Sequence, residues 1–192
     1  MLKEGKMKKT LYMALFLMSI SSTSMAFDFK GIEVGGKNTT AREIEEALQP
    51  DYLKGIEGPY SRGIKCGEGI EHTTICDGST SIGGEWAGAN VSLSKDGVVT
   101  RIELTTHSYS FYKVVDVAVK KYGKPTKKSR EIEQNGMGVK FANHTYRWQG
   151  KNGNYIEIIE YYPNFKNSKI YFGTAEDTKF KKRISEPKTK DI

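Results

Sequence analysis

The sequence predicts an α+β protein made of two units, each a helix followed by an antiparallel meander, forming one sheet with two helices packed on one face. Three observations carry that expectation. Two segments have helical periodicity with capping and stop signals, each is followed by runs that alternate with period two, and charge replaces periodicity only at the C-terminal end. Neither unit alone could bury both faces of its elements, so the two are expected to share a core.

The chain opens with Lys3, Lys6, Lys8 and Lys9 ahead of an apolar run, Leu11 to Ile20, and the small residues Ser21-Ser22-Thr23-Ser24-Met25-Ala26. That order is the pattern of a cleaved export signal. Ten apolar residues cannot cross a ~30 Å hydrocarbon core as a helix, so residues 1–26 read as a signal peptide and not an anchor. A periplasmic or secreted protein is expected, with no transmembrane segment after cleavage. Met7, followed by Lys8-Lys9, would serve as a start as well as Met1.

The remaining residues are enough for one domain, expected over 27–174 with units at about 27–106 and 107–174. In the first unit Thr40-Ala41-Arg42-Glu43 is a capping box, Ile44, Ala47 and Leu48 share one face, and Pro50 ends the helix. Val91 and Leu93 lead to a turn at Asp96-Gly97, after which Val98, Thr100, Ile102 and Leu104 are expected on one face. The second helix runs from Phe111 to Tyr122, with Phe111, Val114, Val115, Ala118, Val119 and Tyr122 on one stripe. Ser108 or Ser110 can cap it, Lys120 and Lys121 suit its C-terminal end, and Gly123 and Pro125 stop it. Tyr146 and Trp148 lead to a turn at Gly150 to Gly153, Tyr155 to Tyr162 returns as a strand, and Ile170 to Phe172 adds another. Val139 to Phe141 and the stretch from Cys66 to Cys76 are weaker strand signals. Residues 175–192 read as a charged, disordered tail, with Lys179, Lys181, Lys182 and Arg183 against Glu176, Asp177, Glu186 and Asp191.

Charge and cysteine count narrow the class. The first 26 residues carry +3 of the whole chain's +7, which leaves a mildly basic +4. Acidic residues interrupt nearly every basic stretch, so no nucleic-acid partner is expected. Cys66 and Cys76, the only two cysteines, form an even pair in an exported chain, where a disulfide is the expected state. Their spacing matches neither a C-x-x-C redox motif nor a four-ligand zinc pattern.

No reaction is named by the motifs. His72, His107 and His144 are not spaced with another ligand as in H-E-x-x-H, and Gly78-Ser79-Thr80-Ser81 lacks the strand-to-helix context of a nucleophile elbow. Gly83-Gly84 precedes no phosphate-binding helix, and Glu131/Glu133 and Glu157/Glu160 read as solvated strand carboxylates. The expectation is a non-enzymatic protein without catalytic residues, metal or cofactor. The aromatic residues say more. Trp86 sits in the Gly-punctuated stretch Asp77 to Ala89, where it either caps a small core or serves as a contact residue for a partner. Tyr146, Trp148, Tyr155 and Tyr161 gather in the second unit, and on alternating strands some of those aromatics must point to the open side of the sheet, where they would bind a protein or a glycan.

Phe29-Lys30-Gly31-Ile32-Glu33-Val34-Gly35 ahead of Thr40 resembles the F-x-x-I-x-x-G lead-in of a known repeat. Cys66 and Cys76 and the entry of Gly88 to Leu93 into a strand fit the same layout, which looks like the tandem helix-plus-meander fold of the secreted beta-lactamase inhibitor proteins. The resemblance implies protein binding through a concave sheet face. It carries over no contact residue, and the chain departs from it in lacking a lead-in before Phe111 and cysteines for a second bridge; the small outer-membrane assembly lipoproteins resemble this fold in one repeat, but no lipid-bearing cysteine follows Ala26. The expected function is that of an exported inhibitor or envelope interaction module that binds a protein partner through the open face and the Gly-rich loop. The alternatives are a cell-envelope hydrolase or accessory enzyme, and an envelope protein that binds anionic surfaces or glycans.

Overall fold

The computed structural model describes residues 27–36, 39–50, 63–69, 73–150 and 152–177. The signal segment 1–26, His72 and residues 178–192 of the charged tail lie outside them.

Helix α1 (Ala41–Leu48) forms where its capping box predicts. The Thr40 hydroxyl accepts from the Glu43 N–H at 3.2 Å, and the Glu43 carboxylate takes the Thr40 N–H at 2.7 Å, so two orphan donors of the first turn are satisfied reciprocally. Those hydrogen bonds hold the exposed Glu43 carboxyl below its usual range. Helix α2 (Phe111–Tyr122) buries Phe111, Val114, Val115 and Ala118. Its start is held differently from the expectation. Ser110 is the N-cap residue but makes no side-chain cap; its hydroxyl donates to Glu85 at 3.0 Å, and Lys113 Nζ meets the same carboxylate at 2.5 Å. An acid from a strand thus faces the positive end of the helix. Gly123, at φ 78°, turns the chain out and donates its N–H to Val119 O.

The strands are β1 (Asp28–Phe29) and β2 (Ile32–Glu33), which form a small hairpin, and β3 (Lys65–Glu68), β4 (Thr74–Ile82), β5 (Glu85–Leu93), β6 (Val99–His107), β7 (Lys127–Gln134), β8 (Lys140–Gln149), β9 (Tyr155–Ile159) and β10 (Asn167–Gly173). The last eight make one antiparallel sheet in the order β3-β4-β5-β6-β10-β9-β8-β7. Adjacent strands are therefore sequential everywhere except at the centre, where β6 pairs with β10, and β3 and β7 are the two edges. Val91, Ile102, Leu104, Ile170, Ile156, Ile158 and Trp148 project from one face into a core shared with Ile44 and Leu48 of α1 and Phe111 and Val114 of α2. The β1-β2 hairpin joins this layer, with Phe29 5.6 Å from Phe172 and Phe27 5.6 Å from Tyr122.

Cys66 and Cys76 lie directly opposite each other on β3 and β4 and are disulfide-bonded. Farther along β4 the backbone of Gly63 and Ile64 crosses over Gly78. A Cβ there would sit 2.2 Å from Gly63 O and 2.8 Å from Ile64 Cα, and backbone cannot step aside as a flexible side chain could. Gly78→Ala is expected to destabilise the domain by about 1–3 kcal/mol through overpacking, read as a lower urea midpoint.

The structure departs from the sequence expectations in other places as well. A register shift at Ser92/Leu93 reverses the alternation at the start of β6, so Val99 is buried in place of Val98 and Thr100, which are only half-buried, whereas Ile102 and Leu104 are buried on one face as expected. Strand β7 went unforeseen because Lys127 to Gln134 is exposed along almost its whole length and shows no apolar alternation. The tail does not begin at 175: Ala175 to Asp177 form a turn against the sheet, with Asp177 buried.

Candidate binding surface on the sheet

Side chains alternate along each strand, so the face turned away from α1 and α2 is made by the neighbours of the core residues. Asp77, Asn90, Glu103, Tyr171, Glu157, Arg147 and Lys127 are successive cross-strand partners from β4 to β7 and form one row across it. Asn90 donates to Asp77 at 2.6 Å, Lys169 pairs with Glu103, and Arg147 donates to Glu157 at 3.0 Å. The surface is polar, and unlike charges are held together across strands. Among the described residues no helix covers it apart from the single turn at 175–177.

Over β7, β8 and β9 this face deepens into a trough of about 610 Å³, floored by Ser129, Thr145, Ile159 and Arg147 and lipped by Tyr161, Tyr162 and Pro163. Glu131 and Glu133 line it together with Lys127. Asn143 fixes the acidic part, donating to Glu133 at 2.6 Å and to Tyr161 O at 3.0 Å.

The five aromatic candidates separate. Trp86 stands on the open face, 50 % exposed, with the far edge of its indole beside Gly88. His107 lies 6.3 Å from it and stacks in turn on the exposed Tyr109 at 5.1 Å, so three rings line one end of β5 and β6. Trp148 is only 2 % exposed and lies on the helix side, where its Nε1–H donates to Gly123 O at 2.8 Å. Tyr146 faces the same way and packs its ring against Phe111 at 5.8 Å. Both are removed from the open face by their register, since their β9 partners are the core residues Ile156 and Ile158. Tyr155 does lie on the open side but is buried there. Its ring occupies the space over Gly173, the Arg147 guanidinium sits 4.5 Å above it, and its hydroxyl donates to Asp177 at 2.6 Å. Burial first, and then the Asp177 carboxylate, push the Tyr155 hydroxyl well above the usual tyrosine range, so it remains a protonated donor. Arg101 reaches the other Asp177 oxygen at 3.5 Å. Tyr161 is half-buried in a cluster with Phe141 and Phe165, each 5.6 Å away.

Two associations escaped the sequence reading. His107 and Tyr109 join Trp86 only because β5 and β6 pair as they do. His144 Nδ1 meets the Glu160 carboxylate at 2.6 Å on the helix side, a contact that the hairpin register about Gly150 to Gly153 could have indicated. Among the described residues no group of three or more His, Cys, Asp or Glu side chains could hold a metal ion, and no helix is long and apolar enough to cross a membrane. Compared with protein-family models, with curated proteins and with solved structures, the chain has no match.

Proposed function

We propose that the chain is an exported protein that binds a protein partner through the open sheet face, as an inhibitor or an envelope interaction module. One observation carries the reading most: half of the Trp86 indole is in solvent, on a strand face no helix covers, next to His107 and Tyr109. A large rigid side chain exposed on a well-braced strand is the type of group on which interface energy concentrates. The order of the elements supports it. Each helix precedes four consecutive strands, and pairing of the last strand of each set, β6 with β10, is how two repeats would share one curved sheet. The resemblance to the secreted beta-lactamase inhibitor proteins, which implies binding through a sheet face, points the same way, and the disulfide suits export.

The test is capture of a partner from an envelope extract by the tagged protein, compared with its Trp86→Ala variant. The variant is expected to lose on the order of 2 kcal/mol of binding, about thirtyfold in Kd, with its melting temperature nearly unchanged. Equal capture by both proteins would remove Trp86 from the interface. A large fall in melting temperature would make it a core residue instead.

A further inference from the structure

The two edges of the sheet are treated differently. Strand β3 has four residues, and its Cys66 N–H is taken by the Glu45 carboxylate of α1 at 2.9 Å. Strand β7 has eight, and among the described residues nothing hydrogen-bonds its outer backbone groups. A long edge of unpaired N–H and C=O groups is a template for another strand, and soluble proteins usually blunt it with charge. The charges of β7 do not have that effect against every strand. Its first half carries Lys127, Lys128 and Arg130 and its second half Glu131 and Glu133. Basic and acidic halves repel a parallel copy but match an antiparallel one.

We propose that two copies of this chain join through β7, antiparallel, about a two-fold axis at Arg130. Residues directly opposite in an antiparallel pair lie on the same face, which restricts the register to pairs of like parity. Centring on Arg130 sets Lys127 against the partner's Glu133 at both ends and Ser129 against the partner's Glu131, all on the open face. On the helix side Ile132, 57 % exposed, comes opposite Lys128, whose ammonium stands 5.0 Å over the Tyr146 ring of its own chain, so no like charge meets there. Arg130 meets its own copy at the axis, the one like-charge contact in this register. Centring on Glu131 leaves two glutamates opposed and no lysine-glutamate pair, and centring on Ser129 opposes Lys128 to Arg130. The axis stands perpendicular to the sheet, so the open faces of both copies look the same way and the dimer presents two troughs side by side.

Sedimentation velocity of the purified whole protein, over a concentration series at low salt, tests this. A dimer dissociating in roughly the micromolar range is expected, weakening as salt is added. Glu133→Lys should raise the dissociation constant on the order of tenfold or more, because two attractive pairs become repulsive. Glu133 also holds Asn143, so loss of dimer in that variant alone would not separate pairing from damage to the trough. The combined variant Lys127→Glu with Glu133→Lys removes the ambiguity, since it exchanges both members of each pair and should restore the dimer. A wild-type protein that stays monomeric at every concentration overturns the proposal, as does a dimer indifferent to Glu133→Lys or a combined variant that remains monomeric.

Discussion

Trp148→Ala is expected to destabilise the domain by about 3–5 kcal/mol, more than truncation of any smaller core side chain of the sheet. Trp148 is the largest fully buried side chain of the sheet, and truncation leaves a cavity whose walls are strands and a helix that cannot collapse into it. It also orphans a polar group. The Gly123 carbonyl, at the C-terminal end of α2, accepts from the Trp148 indole at 2.8 Å, and that bond ties the helix end to β8. Trp148→Phe separates the two contributions, because it keeps most of the apolar volume and deletes the donor. It should cost about 1–3 kcal/mol, the range for leaving a buried acceptor unpaired with a small cavity. Urea unfolding followed by far-ultraviolet circular dichroism reads both. A Trp148→Ala loss below that of Trp148→Phe would contradict the packing described, and near-wild-type stability would place the indole on the surface.

Breaking the Cys66–Cys76 bond is the second large effect. The bridge closes a sequence separation of 10 between adjacent strands, and constraint of so short a loop in the unfolded chain corresponds to about 2–3 kcal/mol. Cys76 is fully buried and part of the core, and β3 is short enough to depend on its partner. Cys66→Ser in the oxidised protein should therefore lower the melting temperature by several degrees, roughly 4–8 °C for each kcal/mol in a 60–100-residue domain and about half that in a larger one. Wild-type protein in reductant should melt with the variant. If oxidised and reduced wild-type protein melt together, the bond contributes nothing to stability. Gly78→Ala gives an independent control, since it perturbs β4 without touching sulfur chemistry.

These effects lie on the covered side of the sheet, whereas Trp86→Ala and the β7 charge reversals act on exposed groups. A protein that binds through its open face should show that division, with stability sensitive on one side and affinity or self-association on the other. Residues Tyr155 and Asp177 sit between the two groups, because the chain's own last described turn closes one end of the open face over them.

Local signals in the sequence determined the helices, the cysteine pairing and the turns. A capping box at Thr40, the apolar stripe from Phe111 to Tyr122 and the Asp96-Gly97 turn act within a few residues, so the chain specifies them without reference to the rest of the fold. The α+β class followed from those elements. The tertiary structure alone decided which aromatics are exposed on the open face. Trp86 and Trp148 each follow a charged residue, Glu85 or Arg147, within a strand, and register against β4 and β9 sends one to solvent and the other beneath α2. Strand β7 shows the same dependence from the other direction. Its charges resemble those of a loop, and only hydrogen bonding to β8 makes it a strand, because an edge exposed on both faces needs no apolar period to be stable there.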